Sequence, residues 1–170
     1  MAPHRTSLIG TLMLLLPLCS AVHAQTVADC VQRIPESARA TVCDIRYYRP
    51  AQGPDAESFL KCALAAVGFV AQDGSVQRNV VLAALDAVET HDGVYTDSVD
   101  VCLSRTRKLS GDERPRAFFS CMLATESAQN FKDALELREL KTNSEWPESG
   151  AFETGKVQQL MQEVNRKLKC

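Results

Sequence analysis

The stretch Cys121–Lys141, CMLATESAQNFKDALELRELK, decides how the rest of the chain is read. It opens at a cysteine and runs into a helix-forming segment whose apolar side is marked by Phe131, Ala134, Leu135 and Leu137. Glu136 and Glu139 stand three apart, so on a helix they share one face about a turn apart. Paired carboxylates beside an apolar stripe suit a small organic cation with a flat, apolar body. The competing reading is a solvated helix face, since Glu is a good helix former and Lys132 stands four before Glu136. A carboxylate turned inward is tolerated only when paired, so it would need a cation, a water or an arginine.

The segments on either side repeat the helical pattern. On the N-terminal side, Thr26–Ile34 predicts a short helix stopped by Pro35. Ser37 is the expected cap of a second helix over about 38–48, carrying Cys43 and Arg46. A third starts near Pro54, with Phe59, Cys62, Ala63, Ala66, Val67 and Val70 at helical spacing, and is expected to end at Asp73-Gly74. Val76, Val80, Val81, Leu85 and Val88 make a fourth. Thr90-His-Asp-Gly93 breaks the chain before a fifth, from Tyr95 to about Lys108. Ser110-Gly-Asp-Glu has N-cap character, and Ala117, Phe118, Cys121 and Met122 line a sixth helix. After the glutamate-bearing helix and the loop 143–150, Val157, Leu160, Met161, Val164 and Leu168 mark an eighth. Nothing alternates at period two over a useful length. The fold class is all-α, with about eight helices.

Residues 1–24 read as a secretion signal: His4 and Arg5, an apolar run Leu8–Leu18 too short to span a bilayer, then Val22 and Ala24 at the selective cleavage positions. Residues 25–170 then form a single domain. Cleavage after Ala24 removes Cys19, so seven cysteines become six, and removes Arg5, taking the formal net charge from −2 to −3. A mildly acidic chain is a poor platform for nucleic acid or anionic membranes, and no later apolar run is long enough for a membrane helix. Six cysteines in a secreted chain read as disulfides at Cys30, Cys43, Cys62, Cys102, Cys121 and Cys170. Spacing alone does not choose among the pairings. Cys170, the last residue, is best explained as a tether for the final helix.

Enzyme chemistry finds no support. Catalytic triads need a histidine, and only His91, in a turn, survives cleavage. There is no P-loop, dinucleotide glycine pattern, calcium loop or C-x-x-C pair, so no cofactor or metal is expected. Phe59 and Phe119 read as core residues or as pocket walls. Arg46 reads as a surface residue, a donor to a ligand hydroxyl, or a partner for a buried glutamate.

Taken together, Cys30, Cys43-Asp-Ile-Arg46-Tyr-Tyr, Gly53-Pro54, Cys62, His91-Asp92, Cys102, Cys121, Phe131-Lys132 and Glu139-Leu-Lys141 resemble the short-form salivary D-seven proteins of blood-feeding mosquitoes. These are relatives of the insect odorant-binding proteins, and the resemblance spans residues 25–170. It implies an odorant-binding-like bundle with a central ligand pocket and bridges Cys30–Cys62, Cys43–Cys170 and Cys102–Cys121. It implies a protein secreted in saliva that traps host mediators such as serotonin, histamine and noradrenaline; the chain itself is expected to be a monomer. The family's amine-holding acids fall on Glu136 and Glu139, and its pocket arginine on Arg46. Its pocket histidine is replaced here by Phe59, its tyrosine by Phe119, and the acid after the first cysteine by Val31. All three changes remove polarity. An ammonium clamp could survive them while contacts to ligand hydroxyls are lost. Two other readings follow from the same changes: a carrier of an apolar lipid mediator, or a protein that binds a host clotting or inflammatory protein.

Overall fold

The computed structural model describes residues 25–88 and 94–170. The expected signal segment 1–24 and the turn holding His91 lie outside the described residues. Eight α-helices are present among them: α1 Val27–Arg33, α2 Arg39–Arg46, α3 Pro54–Ala66, α4 Arg78–Asp86, α5 Val94–Thr106, α6 Glu113–Met122, α7 Ala128–Thr142 and α8 Thr154–Lys167. Their only strand-like pairing is an isolated bridge between Val70 and Val76.

The helix starts follow local chemistry. Thr26 and Asp29 form a reciprocal capping box at α1, with the Asp29 N–H donating to Thr26 Oγ1 and the Thr26 N–H to Asp29 Oδ2. Ser110 and Glu113 exchange the same bonds ahead of α6. Pro54 occupies the first turn of α3, where its missing N–H is no loss. The expected Ser37 cap does not form. Residues Glu36–Ala38 make a 3-10 turn, and α2 starts from Ala38 without a side-chain cap.

Four helices end in the same way. Tyr48, Gly68, Ser144 and Lys169 have φ of 57°, 80°, 58° and 60°. At each, that residue's N–H bonds back three positions and the next residue's N–H bonds back five, as in Arg49 to Asp44 and Phe69 to Leu64. This is the Schellman closure, which usually places glycine at the left-handed position. Only Gly68 meets that preference. It also corrects the expected end of α3, which stops at Ala66 rather than at Asp73-Gly74. Apolar spacing continues to Val70, but the chain has already turned, and Phe69 and Val70 are buried from a loop.

The three disulfides are Cys30–Cys62, Cys43–Cys170 and Cys102–Cys121, the pairing the resemblance implies. They staple α1 to α3, α2 to the end of α8, and α5 to α6. Closing loops of this length stabilises by about 2–4 kcal/mol per bridge, chiefly through the unfolded chain. Around them α3 packs on α1, α2 and α6, while α7 packs on α4 and α8. Phe59, Phe69, Phe118 and Phe131 are fully buried, with Phe118 edge-on to Phe131 at 6.1 Å. A smaller cluster of Leu137, Leu140, Trp146, Val157, Met161 and Val164 seals α7 against α8.

Candidate functional site

Helix α7 buries acids as well as hydrophobes. Phe131, Ala134, Leu137 and Leu140 are buried, and so are Asp133 and Glu139. Asp133, Glu136 and Glu139 follow one another at three-residue steps, so the acids form a short ladder along one face. The solvated-face reading of the two glutamates therefore fails for Glu139 and is incomplete for Glu136, which is half-buried.

Glu139 is paired with Arg46 from α2. Nη2 of Arg46 lies 3.0 Å from Oε1 and Nη1 donates to Oε2 at 3.3 Å, with the two side chains 4% and 7% exposed. The approach to Oε1 is not aligned for a hydrogen bond, so this buried oxygen carries charge without a matched donor. Arg46 Nε donates to Asn165 Oδ1 on α8. Burial raises the Glu139 carboxyl above its ordinary value, against the pull of Arg46.

Glu136 has a different partner. Tyr48 Oη, which closes α2 in the left-handed conformation, donates to Glu136 Oε1 at 3.1 Å. The Tyr48 ring stacks on Phe119 at 6.2 Å, and the Lys132 ammonium lies 5.3 Å from its centroid. Burial and then the negative charge of Glu136 push the Tyr48 phenol well above its usual value, so it stays a donor. Burial also raises Glu136, partly offset by the Tyr48 hydrogen bond.

These groups border a cavity between α1, α2, α3, α6, α7 and α8. It encloses about 40 Å³ and is lined by Arg46, Tyr48, Phe59, Phe119, Glu139, Met161 and seven further apolar residues. That is room for roughly three waters. A ligand with an aromatic ring is larger than this space, so side chains of the wall must shift to admit it. The polar side chains of the wall are Arg46, Tyr48 and Glu139. The part of the wall built from α3 and α6 offers no side-chain donor or acceptor.

Of the five residues singled out from sequence, Arg46, Phe59, Phe119 and Glu139 meet at this wall. Glu136 is not in the lining and connects to it through Tyr48. Val31 is buried on α1 but off the wall, where Val27, one turn earlier, takes its place. Arg46 serves as the partner of a buried glutamate, one of its three possible readings. Sequence reasoning missed Asn165 and Asp133, and Tyr48 entered it only as part of the Arg46-Tyr-Tyr run. Asn165 carried a signal: it stands four after Met161, on the buried stripe of α8, where a polar residue needs a partner. Asp133, held by Gln129 Nε2 at 2.9 Å, carried only its three-residue spacing from Glu136.

A disulfide-stapled helical bundle around a small, mostly apolar cavity is an architecture suited to holding a small ligand. The model of the PBP/GOBP family matches residues 21–125. Short form salivary protein D7R5 of Anopheles gambiae is 56% identical over 155 residues, covering 90% of this chain and 93% of the relative. D7R3 of the same mosquito is 32% identical over 151 residues, 89% of each chain. Among solved structures, Anopheles gambiae D7R4 in complex with norepinephrine superposes with a TM-score of 0.77 at 26% identity, covering 85% of this chain and 99% of that one. The chain belongs to the PBP/GOBP family and, within it, to the short-form salivary D7 proteins. It is a secreted salivary protein, and none of the helices among the described residues is long and apolar enough to cross a membrane.

Proposed function

We propose that this protein captures small organic cations of the biogenic amine type, one per monomer, in the cavity beside α7, and so removes host mediators of haemostasis and inflammation at the feeding site. Its route to saliva is cleavage after Ala24, leaving 25–170 as the working domain. The observation that carries the reading is Glu139 Oε1: a buried carboxylate oxygen with no aligned donor, on the wall of a mostly apolar cavity. Glu139 on the wall and Glu136 behind Tyr48 supply two carboxylates near the cavity, and the guanidinium of Arg46 pairs with Glu139 alone. The norepinephrine complex of D7R4 supports it from a relative. Capture of this kind needs tight binding and abundance rather than turnover.

The apolar wall at Phe59 and Phe119 favours amines whose ring carries no hydroxyl, because a hydroxyl buried there finds no side-chain partner. Glu139→Gln keeps the shape and removes the charge. It should weaken amine binding by about 10–100-fold while the far-ultraviolet circular dichroism stays unchanged. Equal affinity in the variant would sink the reading.

A second reading has an observation of its own. Each polar side chain of the wall already has a partner inside the protein, Arg46 with Glu139 and Tyr48 with Glu136. A lipid mediator would disturb neither pair. Displacement of a fluorescent fatty acid by the lipid, with no competition from amines, would favour it. Binding to a host plasma protein, indifferent to changes at Glu139 and Phe119, would move function off the cavity altogether.

A further inference from the structure

The cavity's carboxylate already holds a cation, and the protein holds that cation in place from the other side. Arg46 is forked between two helices. Its Nη1 and Nη2 face Glu139 on α7, and its Nε donates to the amide oxygen of Asn165 on α8. Asn165 is itself buried and fixed: its carbonyl accepts the Cys170 N–H at 2.8 Å in the closure of α8. Cys170 is bonded to Cys43, one turn before Arg46 on α2, and the Tyr47 hydroxyl donates to the Cys170 carbonyl at 2.7 Å. The same tether thus locks both ends of the Arg46–Asn165 contact.

We propose that Arg46 is a built-in competitor for the carboxylate that receives the ligand's ammonium, and that Asn165 is the positioning residue that sets how strongly it competes. The inference rests on the amine reading above. An ammonium arriving at Glu139 must share the carboxylate with a guanidinium that Coulomb repulsion pushes against it. Asn165 accepts from Arg46 without carrying charge, so the full charge of the guanidinium stays directed at Glu139. An aspartate there would have nearly the same shape and a full negative charge. It would draw the guanidinium toward α8 and leave Glu139 less neutralised for the ligand.

The test is the Asn165→Asp variant of the secreted, disulfide-bonded protein, titrated with tryptamine and with 3-ethylindole, an uncharged analogue of nearly the same shape. The expected result is a gain in tryptamine affinity of about tenfold with 3-ethylindole unchanged, as redistribution of charge a few ångströms from the ligand requires. Arg46→Gln, which keeps amide donors but removes the competing charge, should shift the ratio of the two affinities in the same direction, and it serves if Asn165→Asp does not fold. A ratio that stays constant or falls in the folded variants overturns the proposal. So do two affinities that move together, because that is what a merely structural role predicts. If the unaltered protein binds neither tryptamine nor any other amine, the amine reading itself falls. If it binds tryptamine and the ratio does not move, only the competition proposal falls.

Discussion

Replacing Arg46 by Met removes the one cation buried against Glu139 and keeps most of the side-chain volume. Both partners are almost wholly shielded from water, so the carboxylate left behind cannot recover its hydration. Breaking a buried pair from one side typically costs about 3–5 kcal/mol, far more than the fraction of a kcal/mol expected for the exposed pair Arg49–Asp44. The Asn165 amide oxygen also loses its donor, which places the expectation in the upper half of that range. The penalty depends on pH, and its sign follows from burial. Glu139 already sits above its ordinary value near 4.5, and loss of Arg46 raises it further. The folded variant then binds protons more readily than the unfolded chain. Its deficit is therefore full above the raised folded value and shrinks as pH falls toward the ordinary one. Urea unfolding of the wild type and Arg46→Met with disulfides intact, followed from pH 7 to pH 4, measures both quantities. The double variant Arg46→Met/Glu139→Gln should regain most of the loss at pH 7. A deficit below about 1 kcal/mol at pH 7, with the same pH slope as the wild type, would refute the view that Arg46 neutralises a buried charge.

Three further outcomes follow from the same geometry. Tyr48→Phe deletes the hydroxyl bonded to Glu136 and should destabilise by about 1.5–3 kcal/mol, the range for a hydrogen bond to a charged group; thermal unfolding checks it, and an unchanged melting temperature would contradict the 3.1 Å bond. Cys43→Ser/Cys170→Ser opens a bridge spanning 127 residues and should cost about 2–5 kcal/mol, with amide exchange rising first in the last turn of α8, which the bridge holds. Amine affinity should be full at neutral pH and decline on acidification sooner than ordinary carboxylates would dictate, because burial raises both Glu136 and Glu139 and the ammonium needs them ionised. Over the same interval these two groups' contribution to stability should improve, since protonation relieves their burial; a flat affinity profile down to pH 4 would oppose this.

The helices were legible because apolar spacing and end signals agreed along most of the chain. Thr26, Pro54 and Ser110 each announced a start that the structure uses. The misjudged boundaries have physical causes. Gly68 closes α3 although Val70 still falls in register, and buried loop residues continue the apolar pattern past the turn. Tyr48, Ser144 and Lys169 occupy left-handed positions that sequence gives no reason to assign to them, since that conformation is rare for such residues. The site was half legible. The spacing of Glu136 and Glu139 put them on one face, but only packing decides that Glu139 turns to the cavity and Glu136 to Tyr48. Arg46 stands 93 residues from Glu139 and 119 from Asn165, so no local pattern could have joined them. Family resemblance carried what local pattern could not, namely the disulfide pairing and the nearness of Arg46 to Glu139.

Amine capture itself is decided by titration calorimetry of the folded chain 25–170 with serotonin, histamine and noradrenaline in turn. One-to-one binding of at least one amine is expected, more favourable than about −8 kcal/mol, with a dissociation constant below about 1 µM, and it should be abolished or strongly weakened in Glu139→Gln. A folded protein that takes up none of the three and no hydroxyl-free amine such as tryptamine, or that binds amines equally well without the Glu139 charge, would refute capture at this carboxylate.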